Sequence, residues 1–222
     1  MGKLKTGQPV CVPELRWMGE RGLRVNTGTA TLARYKQLVS LNLSELDDII
    51  PTDDSILLVL KSALIKPGAP LPENLRRALA AVLPAEATTS GRRHVLEVEY
   101  GGEAGPDLPA LASRAGLTEA AFIQCHAASD YTVAFLGFQP GFPYLRGLPQ
   151  ALASPRRETP RVHVAAGSVA IGGEVCGIYP AQGPGGWQLI GRTASVLFDP
   201  ARAAPALLMP GDRVRFVPVS AR

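Results

Sequence analysis

Residues 135–149 read FLGFQPGFPYLRGLP, and residues 167–193 read GSVAIGGEVCGIYPAQGPGGWQLIGRT. Short apolar runs are broken every few positions by Gly or Pro, the residues that set special backbone angles or permit close approach. A helix interior loses about 1 kcal/mol per Gly and about 3 per Pro, so this region builds strands and specifically shaped turns. Working outward, residues 131–136, 168–171, 187–190, 195–198 and 213–219 read as strands joined by Gly/Pro turns, the pattern of a closed β-barrel. Just upstream, VLEVEY (95–100) alternates Leu96, Val98 and Tyr100 with Glu97 and Glu99, a strand with one wet face. Asp107 reads as the cap of a short helix carrying Leu108, Leu111 and Ala115 and ending at Gly116. Thr118 reads as the cap of a second helix that runs to about residue 128.

The first part of the chain has another texture. Residues 15–25 read as a strand, and 31–40 as a helix with Leu32, Tyr35 and Val39 on one face. Residues 46–50 and 55–61 read as strands around the turn PTDD. Pro72 suits the first turn of a helix whose Leu75, Leu79, Val82 and Leu83 repeat at helical spacing. The order β, α, β, β, α is that of a ferredoxin-like half-sandwich whose last strand is short or absent. All five lysines lie at or before Lys66, whereas 17 of the 23 glycines lie beyond residue 90. Between them, residues 84–93 (PAEATTSGRR) are small, polar and aperiodic. The expected organisation is therefore α+β, with a ferredoxin-like domain and linker over 1–90 and a barrel domain with two short helices over 91–222.

Composition narrows the function. With 222 residues, 46% of them hydrophobic and 19% charged, the chain can bury a sizeable core. No run approaches the ~20 apolar residues that span a bilayer, and MGKLKTGQPVC lacks the apolar segment of a signal peptide, so a cytoplasmic protein without membrane contact is expected. Cys11, Cys125 and Cys176 are odd in number and lack metal-type spacing, which speaks against a disulfide framework and a zinc site. The net charge of +4 comes from interleaved basic and acidic residues and is too weak for nucleic acid. No Gly-x-x-x-x-Gly-Lys-Ser/Thr occurs, which excludes a P-loop.

The densest polar group is PRRETPR, where prolines pin Arg156, Arg157 and Arg161; planar guanidinium forks suit carboxylate or phosphate. The segment reads either as a solvated basic loop or, with Arg192 in IGRT, as an anion-binding cleft. His126 sits one helical turn after Phe122 and is the candidate base, with capping or packing as the alternative. His94 and His163 read as sheet-surface residues. Ser168 lacks the nucleophile-elbow pattern and reads as a turn residue. Gly172, Gly173, Gly183, Gly185 and Gly186 fit either backbone donors to an oxyanion or simple turns. Tyr179 and Trp187 fit a pocket wall or core packing. Phe138, Phe142 and Tyr144, in one Pro/Gly-rich loop with Pro140, cannot all enter one core, so some meet a ligand or another chain.

GFQPGFPYLRGLP, PRRETPRVHVAAGSVAIGG, GIYPAQGPGGWQLIGRT, and LFDP before PGDRVRF resemble the B-subunit family of bacterial ATP-dependent 5-oxoprolinase, also called allophanate hydrolase subunit 1 and, in sporulating bacteria, a sporulation-kinase inhibitor. The resemblance covers about residues 95–217 and implies a cyclophilin-like barrel. It implies a non-autonomous subunit that works with a larger cyclophilin-like C-subunit plus a lactam-hydrolysing A-subunit to open 5-oxoproline to glutamate, ATP being used by the complex. Related sequences form the carboxyltransferase region of urea carboxylase, which implies a urea-like amide substrate and a biotin-carrying partner as the alternative; binding to a histidine kinase is a third reading. The family positions carried over are His126, Pro140, Gly141, Phe142, Tyr144, Arg156, Arg161, Gly167, Ser168, Tyr179, Pro180, Gly186, Trp187 and Arg192. This chain departs where the family has Gln-Thr-Gly before IYP, reading Val175, Cys176 and Gly177, and has Ala165 for the usual proline. If those positions line the cleft, a polar substrate loses roughly 1–3 kcal/mol per missing partner.

Overall fold

The computed structural model describes residues 14–61, 70–81, 83 and 91–220. The chain divides into two compact units, 1–88 and 89–222. Cys11, Lys66, Val82 and most of the expected linker at 84–93 lie outside the described residues.

In the first unit the expected single strand over 15–25 is a hairpin, β1 (Leu15–Met18) and β2 (Gly22–Asn26). Gly19 makes the turn with φ of 69°, a conformation costly for any residue bearing a Cβ. Helix α1 (Thr31–Leu41) ends where Asn42 turns left-handed, and is followed by β3 (Leu46–Pro51), β4 (Ser55–Leu60) and α2 (Glu73–Ala80). The sheet is antiparallel throughout, in the order β1-β2-β4-β3. β2 and β3 flank β4 as the outer strands of a split βαβ unit, and β1 takes the edge place that the missing last strand would fill. The core joins Leu23, Val25, Ile56, Leu58 and Leu60 to Leu38, Leu75 and Leu79 from the helices. The buried stripe of α1 runs through Thr31, Tyr35 and Leu38, whereas Val39, expected on that face, is 49% exposed.

The second unit is a closed barrel of seven strands. Around the wall stand β10 (Val175–Ile178), β7 (Pro143–Arg146), β6 (Tyr131–Leu136), β13 (Arg213–Val219), β5 (Arg93–Tyr100), β12 (Gln188–Arg192) and β9 (Ser168–Gly172), which pairs with β10 to complete the circle. Neighbours are antiparallel except β5 and β13, which run parallel in register from Arg93↔Arg213 to Glu99↔Val219. Alternate residues fill the interior: Leu96 and Val98, Tyr131 and Val133, Leu145, Val169 and Ile171, Cys176 and Ile178, Ile190, Val214 and Phe216. Helices α3 (Leu108–Arg114) and α4 (Glu119–Ala127) add Leu108, Leu111 and Phe122 to the same cluster. Thr118 caps α4 as expected, its Oγ1 accepting the Ala121 N–H. Residues 195–198 are not a strand: Val196 is exposed, and the segment makes one isolated bridge, Phe198 to Ala206.

Outside the wall a two-stranded ribbon pairs β8 (Arg161–Val164) with β11 (Gly183–Gly185). The architecture is thus α+β, a ferredoxin-like half-sandwich and a cyclophilin-like closed barrel with two short helices.

Candidate functional site

The barrel wall has a second, outward face. Period-two alternation that sends Ile171, Cys176, Ile178 and Leu145 inward must send Ala170, Gly172, Val175, Gly177, Tyr179 and Tyr144 outward. There Phe142, Tyr179, Trp187, Val164, Ala170 and Leu189 form a separate buried cluster beneath the β8–β11 ribbon. The rings meet edge to face: Phe142 to Tyr179 at 5.1 Å and 89°, and Phe142 to Trp187 at 5.4 Å and 83°. Such pairs stabilise by about 0.5–1.5 kcal/mol beyond the area they bury. They fit so closely because Gly172 and Gly177 lie under them. A Cβ at Gly172 would stand 2.5 Å from Trp187, and one at Gly177 2.8 Å from Phe142. Both glycines therefore seat the rings, and for Gly172 this is a role that neither oxyanion donation nor simple turn-making describes.

Above the cluster opens a cleft of about 300 Å³, lined by Phe138, Phe142, Tyr144, Arg156, Arg157, Pro160, Tyr179 and the 184–187 segment. Of the sequence candidates it gathers Arg156, Tyr179, Gly186, Trp187, Phe138, Phe142 and Tyr144. Tyr179 and Trp187 are both buried wall and core, so the two alternatives merge. The aromatic loop splits as composition requires: Phe142 is buried, whereas Phe138 is 62% exposed. Phe138 also has φ of 68°, a left-handed backbone that an aromatic residue adopts only under constraint. Its ring lies edge-on to Phe142 at 5.6 Å and to Tyr179 at 6.3 Å, forming the lip of the cleft. Pro140 is exposed in the same loop and does not line the cleft. Burial raises the Tyr179 phenol above its ordinary value, so it is a neutral hydroxyl.

The arginines divide. Asp107, read from sequence as a helix cap, makes no capping bond to α3. Its buried carboxylate instead accepts Arg161 Nη2 at 2.7 Å and Arg157 Nη1 at 3.3 Å on Oδ1, and the Leu189 N–H at 2.7 Å on Oδ2. Arg161, expected in a solvated basic loop or an anion-binding cleft, is thus held by an internal anion, and its Nη1 is buried with no hydrogen-bond partner among the described residues. The Arg157 N–H donates to the Gly186 carbonyl at 2.7 Å, tying the arginine loop to the turn before β12. Arg156 differs. Its Cζ stands 5.4 Å from the Trp187 ring centroid, and among the described residues no hydrogen bond or ion pair holds its guanidinium. Arg192 does not join this group; it is exposed on β12 and lines another depression with Glu97, Glu99, Thr193 and Val219.

His126, the candidate base, lies in the barrel interior, fully buried and stacked on Phe216 at 4.9 Å. Nδ1 is 2.8 Å from Tyr100 Oη and Nε2 is 3.5 Å from Cys176 Sγ. Burial holds the imidazole down to about 3 and raises the Cys176 thiol and the Tyr100 phenol, so all three are neutral. Cys176 therefore takes nothing from the cleft; of the two departures just before IYP only Val175 lies on the cleft side, packed at the edge of its aromatic cluster. His94 pairs with Asp212 at 3.0 Å, His163 is exposed, and Ser168 is the buried first residue of β9. Asp107 and Tyr100 are the residues that sequence reading missed as partners. Period two counted from Tyr179 already assigns Cys176 to the opposite face, but nothing local signals that Asp107 meets arginines fifty residues on.

A two-unit α+β chain whose cyclophilin-like barrel carries a ligand-sized aromatic cleft on its outer wall is the class that fold and site define. The chain belongs to the family described as carboxyltransferase domain, subdomain C and D, whose model matches residues 13–208. Over 123 residues it is 58% identical to the B-subunit of 5-oxoprolinase from Escherichia coli O157:H7, a match covering 55% of this chain and 56% of that protein. A stretch of 64 residues is 44% identical to urea amidolyase of Saccharomyces cerevisiae, covering 27% of this chain and 4% of that one. Among solved structures, that of TTHA0988 is 35% identical, with a TM-score of 0.75 over 91% of this chain and 40% of that one. The match thus spans little more than half the length of the 5-oxoprolinase relative.

Proposed function

We propose that this chain is a non-autonomous subunit of an ATP-dependent 5-oxoprolinase complex, which opens 5-oxoproline to L-glutamate, and that it works beside a larger cyclophilin-like C-subunit plus a lactam-hydrolysing A-subunit. One observation carries the reading. The sequence stretches that resemble the B-subunit family are those that build the aromatic, arginine-rimmed cleft on the barrel wall. A flat lactam ring fits between aromatic faces and edges, and its carboxylate suits a guanidinium fork.

The need for partners follows from what lines the cleft. The described residues that line it are aromatic rings, arginines, prolines and glycines, with no histidine, thiol or carboxylate among them to act as base or nucleophile. The Cys176–His126 pair faces the closed interior and is neutral. In this reading nucleotide chemistry belongs to the partners, since the sequence carries no P-loop and the described lining of the cleft offers one guanidinium without an acceptor. What this chain supplies is binding, orientation and exclusion of water from the ring.

The urea amidolyase likeness favours one alternative, a carboxyltransferase-type component acting on a urea-like amide with a biotin-carrying partner. Co-purification of the tagged chain, followed by assay of the complex with ATP and either 5-oxoproline or urea, separates the two. Glutamate formation that requires every member of the complex is expected. Turnover of 5-oxoproline by the single chain, or carboxylation of urea alone, would overturn the proposal.

A further inference from the structure

We infer that Arg156, held against Trp187, is the carboxylate-recognising element of the cleft, and that the ligand is a small planar amide bearing a carboxylate. The inference rests on reading this cleft as the substrate site and goes further by assigning its charge recognition to one residue. Three arginines stand in the 156–161 loop, but Asp107 engages two of them. Arg156 alone lines the cleft with no acceptor for its guanidinium among the described residues. The cation–π contact is made through Cζ above the indole, at a distance within the roughly 6 Å over which a ring quadrupole attracts a cation. A guanidinium held in this way is positioned without using its donors, which remain available to form two parallel bonds to a carboxylate.

The remaining walls select the rest of the ligand. Phe142, Tyr144, Tyr179 and Trp187 offer apolar surface with neutral hydroxyl character at Tyr179, which suits a flat amide better than a sugar or a phosphate ester. Phe138 is kept over the mouth by a backbone conformation that its own side chain disfavours. The ring thereby narrows the entrance to small planar groups. One carboxylate is the charge this site matches, because a single fork is free.

The test is calorimetric titration of the purified full chain with 5-oxoproline, with 2-pyrrolidinone, which keeps the lactam and lacks the carboxylate, and with hydantoate, an open-chain ureido carboxylate. Each is repeated with Arg156→Gln, Arg156→Lys and Arg192→Gln, and thermal melts confirm that the exposed substitutions leave the fold intact. We expect 5-oxoproline to bind, Arg156→Gln to weaken it about 10- to 100-fold, Arg156→Lys to restore part of that loss, and Arg192→Gln to change nothing. Pyrrolidinone should bind as weakly to the wild type as 5-oxoproline does to Arg156→Gln. Binding of hydantoate but not of 5-oxoproline, with the same dependence on Arg156, would uphold the inference and overturn the 5-oxoprolinase reading. If neither carboxylate binds, or if Arg156→Gln binds them as the wild type does, the inference fails even where the assembled complex turns over 5-oxoproline.

Discussion

Asp107 Oδ1 lies 2.7 Å from Arg161 Nη2, joining the start of α3 to the start of β8 across 54 residues of sequence. The carboxylate is nearly buried and the guanidinium about one-fifth exposed. Removing one partner of such a pair leaves a desolvated charge behind, a loss we place at about 2 kcal/mol after discounting for the exposed side. Arg161→Ala should therefore lower the melting temperature by about 5–10 °C, with Arg161→Lys in between. A melt unchanged in Arg161→Ala would mean that Arg157 alone satisfies Asp107.

Gly177 sits where a methyl group would press on both Phe142, at 2.8 Å, and Trp187, at 2.9 Å. Overpacking of this kind costs about 1–3 kcal/mol. Gly177→Ala should destabilise the protein and shift the near-ultraviolet dichroism of Trp187, because the ring moves into the cleft. Wild-type dichroism and stability together would show that the wall yields without effect.

The imidazole of His126 titrates at about 3 in the folded protein because burial disfavours its charge, against about 6.5 in an unfolded chain. Between those values the unfolded state binds a proton that the folded state does not. Stability from this group is therefore complete above pH 6.5 and declines as pH falls toward 3, by up to about 1.4 kcal/mol per unit. In heteronuclear NMR the His126 ring nitrogens should stay those of a neutral ring at about pH 5, between the two values. A midpoint near the unfolded value would contradict the buried placement.

Cys176 is fully buried, and its thiol is raised well above the ordinary range by burial. Alkylation requires the exposed thiolate. Iodoacetamide followed by peptide mapping should leave Cys176 unmodified in the native protein and modify it fully in guanidinium. Native-state labelling at Cys176 at the unfolded rate would refute a closed barrel interior.

We propose that the two units are separate folding domains, since each has its own core. Residues 91–222 expressed alone should give a cooperative melt with native near-ultraviolet dichroism. A molten product would show that the barrel depends on the first unit.

Much of the fold is legible in the sequence because local chemistry decides it. The strand Arg93–Tyr100 is marked by alternation, α4 by Thr118, and Tyr131–Leu136 and Arg213–Val219 by the Gly and Pro turns around them. The hairpin of β1 and β2 is hidden because its turn, Gly19 to Arg21, is short and charged and lies between two apolar runs that read as one. Residues 195–198 have strand composition, but the barrel circle is complete without them, so tertiary closure overrides propensity. The cleft's aromatics are visible as a surplus that one core could not absorb. Which arginine is free is not visible, because the answer lies in Asp107, and a long-range pairing leaves no local trace.

The parallel pairing of β5 with β13 has a consequence for biosynthesis. The strand that begins the barrel, Arg93–Tyr100, finds one of its two neighbours only when Arg213–Val219 has left the ribosome. At about 5–20 residues per second that wait lasts roughly ten seconds. Throughout it, β5 presents unpaired amides and carbonyls that invite strand addition from other chains. The alternating Glu97 and Glu99 on its wet face put negative charge beside that open edge, a guard the finished barrel no longer needs.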